Sequence, residues 1–418
     1  MSKMSERSKV VAAKENHRKT IGFLMVFFLL VFLSACDDEL AEMEDSKSLQ
    51  ILTEQQLELI RSTNRLSLQV LQTKYKQNRH GNFIFSPIST GMALGMIYNG
   101  VGEDEQFEIK QLTGVESLPP KEINKSFNEF ISFLQISCEP SSFFCANSMW
   151  FANSGQIDEN YRTQLMAYYD AEIRAINFAR KSALGTINNW ADLRSMGRCP
   201  QLTSLVPLPD YDIYFVNALE VNAAWQEGKY FRSQTGFTAC DGSVATIEAI
   251  NLEQVHALTT STGRFDYMEI PLEGESFSLS IVRPTHGSGL DEVLNGFSLN
   301  EVSRLSPGMV VVETNITLPE IALFGENRLR STLGQLGFNS LFEPSLDLSA
   351  SFEEGNRQIS EINQVAKLTI KSDPKPLENR SFSNQLIPTI RVNRPFLFFV
   401  KDKHTHTILF AGFYNKPS

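Results

Sequence analysis

Apolar positions along this chain change period about half-way. Thr53-Glu54-Gln55-Gln56 has the form of a capping box, and the helix it predicts carries Leu57, Ile60, Leu68 and Leu71 on roughly one face. Phe127, Phe130, Ile131 and Leu134 repeat at helical spacing as well, a stripe of the kind that faces a core. Later segments alternate. Phe277, Leu279 and Ile281 interleave with Ser276, Ser278 and Ser280, which predicts a strand buried on one face only. Val310 to Val312, Phe396 to Val400 and Ile408 to Phe413 also have strand character. Helices dominate the first 200 residues and strands the remainder, so the order predicts α+β rather than alternating α/β. No repeat and no linker divides residues 51–418, which are expected to form one domain.

The most apolar run lies outside that domain. Ile21 to Leu33 follows a basic segment carrying Lys14, Arg18 and Lys19, and about 13 apolar residues are too few to span a bilayer comfortably. Leu33-Ser34-Ala35-Cys36 closes the run and resembles the bacterial lipoprotein cleavage box. That resemblance implies a signal peptide over 1–35, with Cys36 as the lipidated first residue of the mature chain. Residues 36–50 then form an acidic tether. Asp37-Asp38-Glu39 is either a solvated spacer or the kind of acidic run that sends lipoproteins of some Gram-negative bacteria to the cell surface. The expected location is extracytoplasmic, on the outer membrane or cell surface.

Charge and chemistry narrow the function. The 418 residues are 42% hydrophobic and 21% charged, with a formal net charge of −10. Without residues 1–35 the chain keeps 32 basic and 46 acidic side chains, a net charge of −14, which lacks the basic footprint of a nucleic-acid binder. Cys138 and Cys145 flank a short loop and are placed either to staple it or to lie free and buried; no C-x-x-C pair is present. There is no G-x-S-x-G, Walker loop, G-x-G-x-x-G or H-E-x-x-H. His286-Gly287-Ser288-Gly289 reads as a flexible turn after Pro284, and His404-Thr405-His406 as a hairpin turn rather than a metal pair. An enzyme is therefore the weaker class, and no metal or cofactor is expected; the chain is expected to be a monomer.

A set of motifs in order resembles the serpin family. These are Asn82 to Ser89 with Ala93-Leu94, Ala146 to Phe151, Ile187-Asn188-Asn189-Trp190, Val216-Asn217-Ala218 with Trp225, Leu318 to Ile321, Leu336-Gly337-Phe338, Leu346 to Ser349, Arg394 to Phe399 and Ile408 to Gly412. The resemblance implies three β-sheets surrounded by about nine helices, with an exposed reactive loop near the C-terminus. It makes an extracellular protease the partner: inhibitory members are cut in that loop, which then enters the large sheet and drags the acylated protease along. It also implies that Ser86, Ser89 and Asn217 share a polar cluster beneath the sheet, with Gln364 where the family commonly has histidine.

The loop departs from the family pattern. In place of an acidic, glycine-containing hinge followed by small residues stands Lys371-Ser372-Asp373-Pro374-Lys375-Pro376-Leu377-Glu378-Asn379-Arg380. A strand entering a sheet interior donates on both edges, and Pro374 and Pro376 have no N–H to donate. Lys375 falls where the first inserted residue would be. Counting back from Pro395 places the reactive bond at Asn384-Gln385, with Arg380-Ser381 as the alternative a trypsin-like enzyme would prefer. About four residues fewer than the family pattern shorten the reach by ~13 Å. Two readings remain: a non-inhibitory member, cleaved as a substrate or used as a surface binding protein, and a working suicide inhibitor of a serine or cysteine protease.

Overall fold

The computed structural model describes residues 52–417, apart from the segments 154, 196, 198–201, 205–206, 227–229, 286–287, 299–307, 354–356 and 373–385. These residues fall within one compact unit, Leu52–Ser418. The signal peptide, Cys36 and the tether lie outside the described residues.

Six helices come first. They are α1 (Glu54–Gln77), α2 (Pro87–Tyr98), α3 (Glu103–Thr113), α4 (Pro120–Ser137), α5 (Glu159–Tyr169) and α6 (Ala183–Arg194), with β1 (Phe83–Phe85), β2 (Ser142–Ala152) and β3 (Glu172–Ile176) among them. From Ile213 onward strands dominate: β4 (Ile213–Ala224), β5 (Tyr230–Thr238), β6 (Val244–Ser261), β7 (Phe265–Pro271), β8 (Phe277–Pro284), β9 (Val310–Pro319), β10 (Ala322–Arg328), β11 (Ile359–Lys371), β12 (Thr389–Arg391), β13 (Phe396–Asp402) and β14 (Ile408–Tyr414). Only α7 (Leu290–Gly296), α8 (Arg330–Gln335) and a 3₁₀ turn interrupt them, giving eight α-helices among the described residues.

The predicted start of α1 is present. Thr53 Oγ1 accepts from Gln56 N–H at 3.2 Å, and Gln56 Oε1 accepts from Thr53 N–H at 2.9 Å. Leu59 is buried more deeply than Leu57, so the apolar face is rotated from the predicted one. In α4, Phe127, Phe130 and Leu134 are buried as their spacing predicts. Helix α2 is buried on every side, from Pro87 to Tyr98, as befits a helix with no polar face. Gly91 makes this possible: a β-carbon there would stand 2.8 Å from Thr63 Cγ2.

Hydrogen bonding divides the strands between a five-stranded sheet, ordered β10-β11-β4-β2-β3, and a nine-stranded one, β1-β14-β13-β8-β7-β6-β9-β12 with β5 on β6. The three expected sheets are reconciled by β6. This 18-residue strand pairs first with β5 and then with β7, and its register against β9 shifts between Leu252 and Val255, where Gln254 has φ 50°. The bulge bends one strand out of one sheet and into another.

The Ser276–Ser280 alternation is a correction. The spacing predicts a solvent face for these serines, but Ser278 and Ser280 are each 1% exposed. Both faces of β8 are covered, and its polar side serves an internal network: Ser278 Oγ donates to Glu269 Oε1 at 2.8 Å, and Ser280 Oγ lies 3.1 Å from Tyr267 Oη. Of the two alternatives for the cysteines, the structure takes the unbridged one. Cys138 and Cys145 are free. Cys138 ends α4 with its thiol on Gln135 O at 3.5 Å, whereas Cys145 Sγ lies 3.8 Å from Met92 Sδ of α2. Their side chains settle in different packing environments, so nearness in sequence does not bridge them. His404 and His406 lie in the β13–β14 turn, as read from the sequence, and the His404 ring meets Phe133 edge-on.

Candidate functional site at the seam of the five-stranded sheet

Neighbouring strands β4 and β11 run parallel in the middle of the five-stranded sheet, paired from Ile359/Ile213 to Lys371/Ala224. Three layers of side chains control this seam.

At its upper end, Trp225 N–H donates to Lys371 O at 3.3 Å, which extends the ladder past the last strand residue. Ser372, the first hinge residue, is buried rather than free. Its hydroxyl donates to Glu320 Oε1 at 3.0 Å, and the Arg232 guanidinium donates to Ser372 Oγ at 2.6 Å and to Glu320 Oε1 at 2.8 Å. Strand β5, the β9–β10 turn and the exit of β11 are thereby tied together. Nothing local in the sequence connects Arg232 to a partner 140 residues away, and Glu320 stood there only as part of the Leu318 to Ile321 motif. Pro374, Lys375, Pro376 and both candidate bonds (Arg380-Ser381 and Asn384-Gln385) lie outside the described residues. The chain is described again from Leu386, which is 92% exposed. It then anchors on the other sheet: Pro388 O accepts from Asn315 N–H and Thr314 Oγ1, both at 2.8 Å, and β12 pairs in parallel with β9.

Beneath the middle of the seam Asn217 and Gln364 stand side by side in register, and the hydrogen bonds of the expected polar cluster run in two groups. Gln364 Oε1 accepts from Ser86 N–H at 2.9 Å, and its Nε2 donates to Ser86 O and Thr90 Oγ1, each at 2.6 Å. Gln364 thus ties β11 to the first turn of α2, where Ser86 Oγ caps the helix by accepting from Ser89 N–H. Asn217 turns instead to β2, donating to Asn147 Oδ1 at 2.7 Å, and Asn147 donates to Tyr169 O at 2.8 Å. The Ser89 hydroxyl joins neither group: it is fully buried with no hydrogen-bond partner among the described residues. Glutamine supplies both an acceptor and donors here, which is why it holds a position beside a helix N-terminus. The roles of Thr90 and Asn147 were not legible in the sequence because each needs a partner on a neighbouring strand, Gln364 and Asn217 respectively.

Across the outer face, α6 covers the lower half of the seam. Ile187, Trp190 and Ala191 pack with Trp150, Tyr214, Val216, Ala218 and Val365, and the two tryptophan rings meet edge-on at 6.0 Å. Among the described residues no group of three or more His, Cys, Asp or Glu side chains is placed to hold a metal.

The serpin (serine protease inhibitor) family model matches residues 61–417. The chain belongs to the serpin family. Its curated relatives include human glia-derived nexin, 25% identical over 367 residues, covering 84% of this chain and 91% of that protein. Iripin-1 of Ixodes ricinus is 22% identical, covering 84% of this chain and 93% of its own length. Among solved structures, native protease nexin-1 with heparin matches with a TM-score of 0.76 at 24% identity, covering 87% of this chain and 100% of that one. Mouse protein-Z dependent protease inhibitor matches with a TM-score of 0.77 at 20% identity, covering 88% and 100%. The serpin fold accounts for the two anchors seen here, since a loop that leaves β11 on one sheet and lands on β12 of another is the family's reactive loop. Serpins act on proteases as inhibitors rather than as catalysts.

Proposed function

We propose that this serpin does not trap proteases, and serves instead as a cleavable substrate or binding protein held at a bacterial surface. The observation that carries the reading is the hinge. Ser372-Asp373-Pro374-Lys375-Pro376 puts two residues without an N–H and two charged side chains where a strand must enter a sheet interior. The Arg232–Ser372–Glu320 cluster adds to it, because a hinge residue already held by an ion pair resists being drawn into the seam. A second reading, suicide inhibition of an extracellular serine or cysteine protease, is favoured by the family itself and by the relatives named as inhibitors. The mature charge of −14 favours neither nucleic acid nor the polyanion of the nexin structure as a partner.

Incubation with a panel of serine and cysteine proteases, followed by denaturing electrophoresis, separates the readings. Clean cleavage in the 371–388 loop is expected. A covalent complex stable to denaturant would overturn the proposal in favour of inhibition.

The surface location rests on Leu33-Ser34-Ala35-Cys36 after a basic and apolar leader. Cys36→Ala is expected to abolish fatty-acid labelling and to leave the leader attached or the protein mislocalised. Equal metabolic labelling of variant and wild type would remove the anchor from the model of this protein.

A further inference from the structure

Apolar cover on the outer face of the seam stops part-way up. On β4 the outward residues Tyr214, Val216 and Ala218 lie under α6, and on β11 Val365 does the same. The next outward position on each strand is charged: Glu220 on β4 and Lys367 on β11. These two stand directly opposite each other in register, and Lys367 Nζ lies 2.8 Å from Glu220 Oε1. The Glu220 side chain is 5% exposed and that of Lys367 39%. Asn222 Nδ2 also donates to Glu220 Oε1, at 3.0 Å. Phenylalanines occupy the outer positions of the same row, with Phe144 of β2 opposite Glu220 and Phe324 of β10 opposite Lys367. A carboxylate this buried is costly away from a cation, so its position makes the pair sensitive to strand separation.

We propose that the Glu220–Lys367 ion pair is a latch across the β4–β11 seam, holding shut the part of the seam beyond Ala218 and Val365. Neighbouring strands lie ~4.8 Å apart, so a strand entering this seam moves the partners to nearly twice that spacing and parts the charges. The latch belongs to the body of the sheet and acts whatever the sequence of the loop. Its test therefore reads sheet opening directly and stands or falls apart from the non-inhibitory reading above.

Hydrogen exchange of the uncut mature protein, together with uptake of an added 12-residue peptide rich in threonine and alanine, reads that opening. In Lys367→Met, amides of 214–224 and 359–371 are expected to exchange about tenfold faster, with little change in the β2–β3 ladder. Peptide uptake should speed up by a similar factor. In Glu220→Gln/Lys367→Met the buried charge is gone, and the effect should be smaller than the sum of the two single changes. Should Lys367→Met fail to fold, the charge-reversed pair Glu220→Lys/Lys367→Glu is expected to close the seam again relative to either single reversal. Equal acceleration across all five strands, strict additivity in the double variant, or no recovery on charge reversal would each overturn the latch.

Discussion

Cutting this serpin between Lys371 and Pro388 is expected to leave its melting temperature within a few degrees of the intact protein. Loop insertion would stabilise a cleaved serpin by converting the β4–β11 seam into two new ladders. Here the seam is already paired from Ile359/Ile213 to Lys371/Ala224, and its upper end is fastened by Trp225 and by the Arg232–Ser372–Glu320 cluster. An entering segment has to part that pairing and the Glu220–Lys367 ion pair before it gains anything. Pro374 and Pro376 then forgo about 2 kcal/mol of backbone hydrogen bonding. Burying the Lys375 charge costs several kcal/mol more, and the shorter loop makes fewer contacts in return. Replacing residues 371–380 with a longer segment rich in glycine and alanine is expected to restore a rise of tens of degrees on cleavage, because both strands of the seam are intact. Thermal melts of the intact, cleaved and grafted proteins decide the matter. A rise of that size in the cleaved wild-type chain would mean that the hinge inserts despite its sequence.

Lys401→Met is expected to destabilise the protein by about 3–5 kcal/mol at neutral pH, the usual cost of breaking one side of a buried ion pair. Lys401 of β13 stands opposite Ser278, and Glu269 of β7 stands opposite Ser280. Lys401 Nζ donates to Glu269 Oε2 at 2.5 Å and to Tyr267 Oη at 2.9 Å. Tyr267 Oη and Ser278 Oγ each donate to the Glu269 carboxylate at 2.8 Å. Burial alone would raise the Glu269 pKa, but Lys401 and the two hydroxyls together hold it below its ordinary value of 4.5. Burial likewise opposes the Lys401 charge, and Tyr267 and Glu269 outweigh it to raise that pKa.

The sign of the pH dependence follows. A carboxyl depressed in the folded state contributes stability above its unfolded pKa and loses it as the pH falls through the folded value. The difference between wild type and Lys401→Met should therefore shrink as the pH falls through and below the ordinary carboxylate range, as Glu269 becomes protonated in both. Glu361 and Asp402, pushed up by burial, titrate with the opposite sign but are common to both proteins and drop out of the difference. Denaturant midpoints at neutral and acid pH test this. A loss of the same size at both would show that packing, not charge, is what Lys401 supplies.

The sequence by itself determined those features that are settled within a few residues of chain. The capping box at Thr53, the phenylalanine stripe of α4 and the apolar runs of β13 and β14 depend on helical or strand periodicity and on nearby backbone groups, and all form where the pattern puts them. The ordered motifs carried the family for the same reason, since each marks a short element whose shape is set locally. Tertiary structure decided everything that depends on which strands become neighbours. It left Cys138 and Cys145 free, covered Ser278 and Ser280, and sent the hydrogen bonds of the neighbours Asn217 and Gln364 to different elements. It also brought Arg232 to Ser372 and Glu220 to Lys367. The physical reason is register: a side chain's opposite number is fixed by strand pairing across well over a hundred residues, and no local alternation of apolar and polar positions encodes that partner.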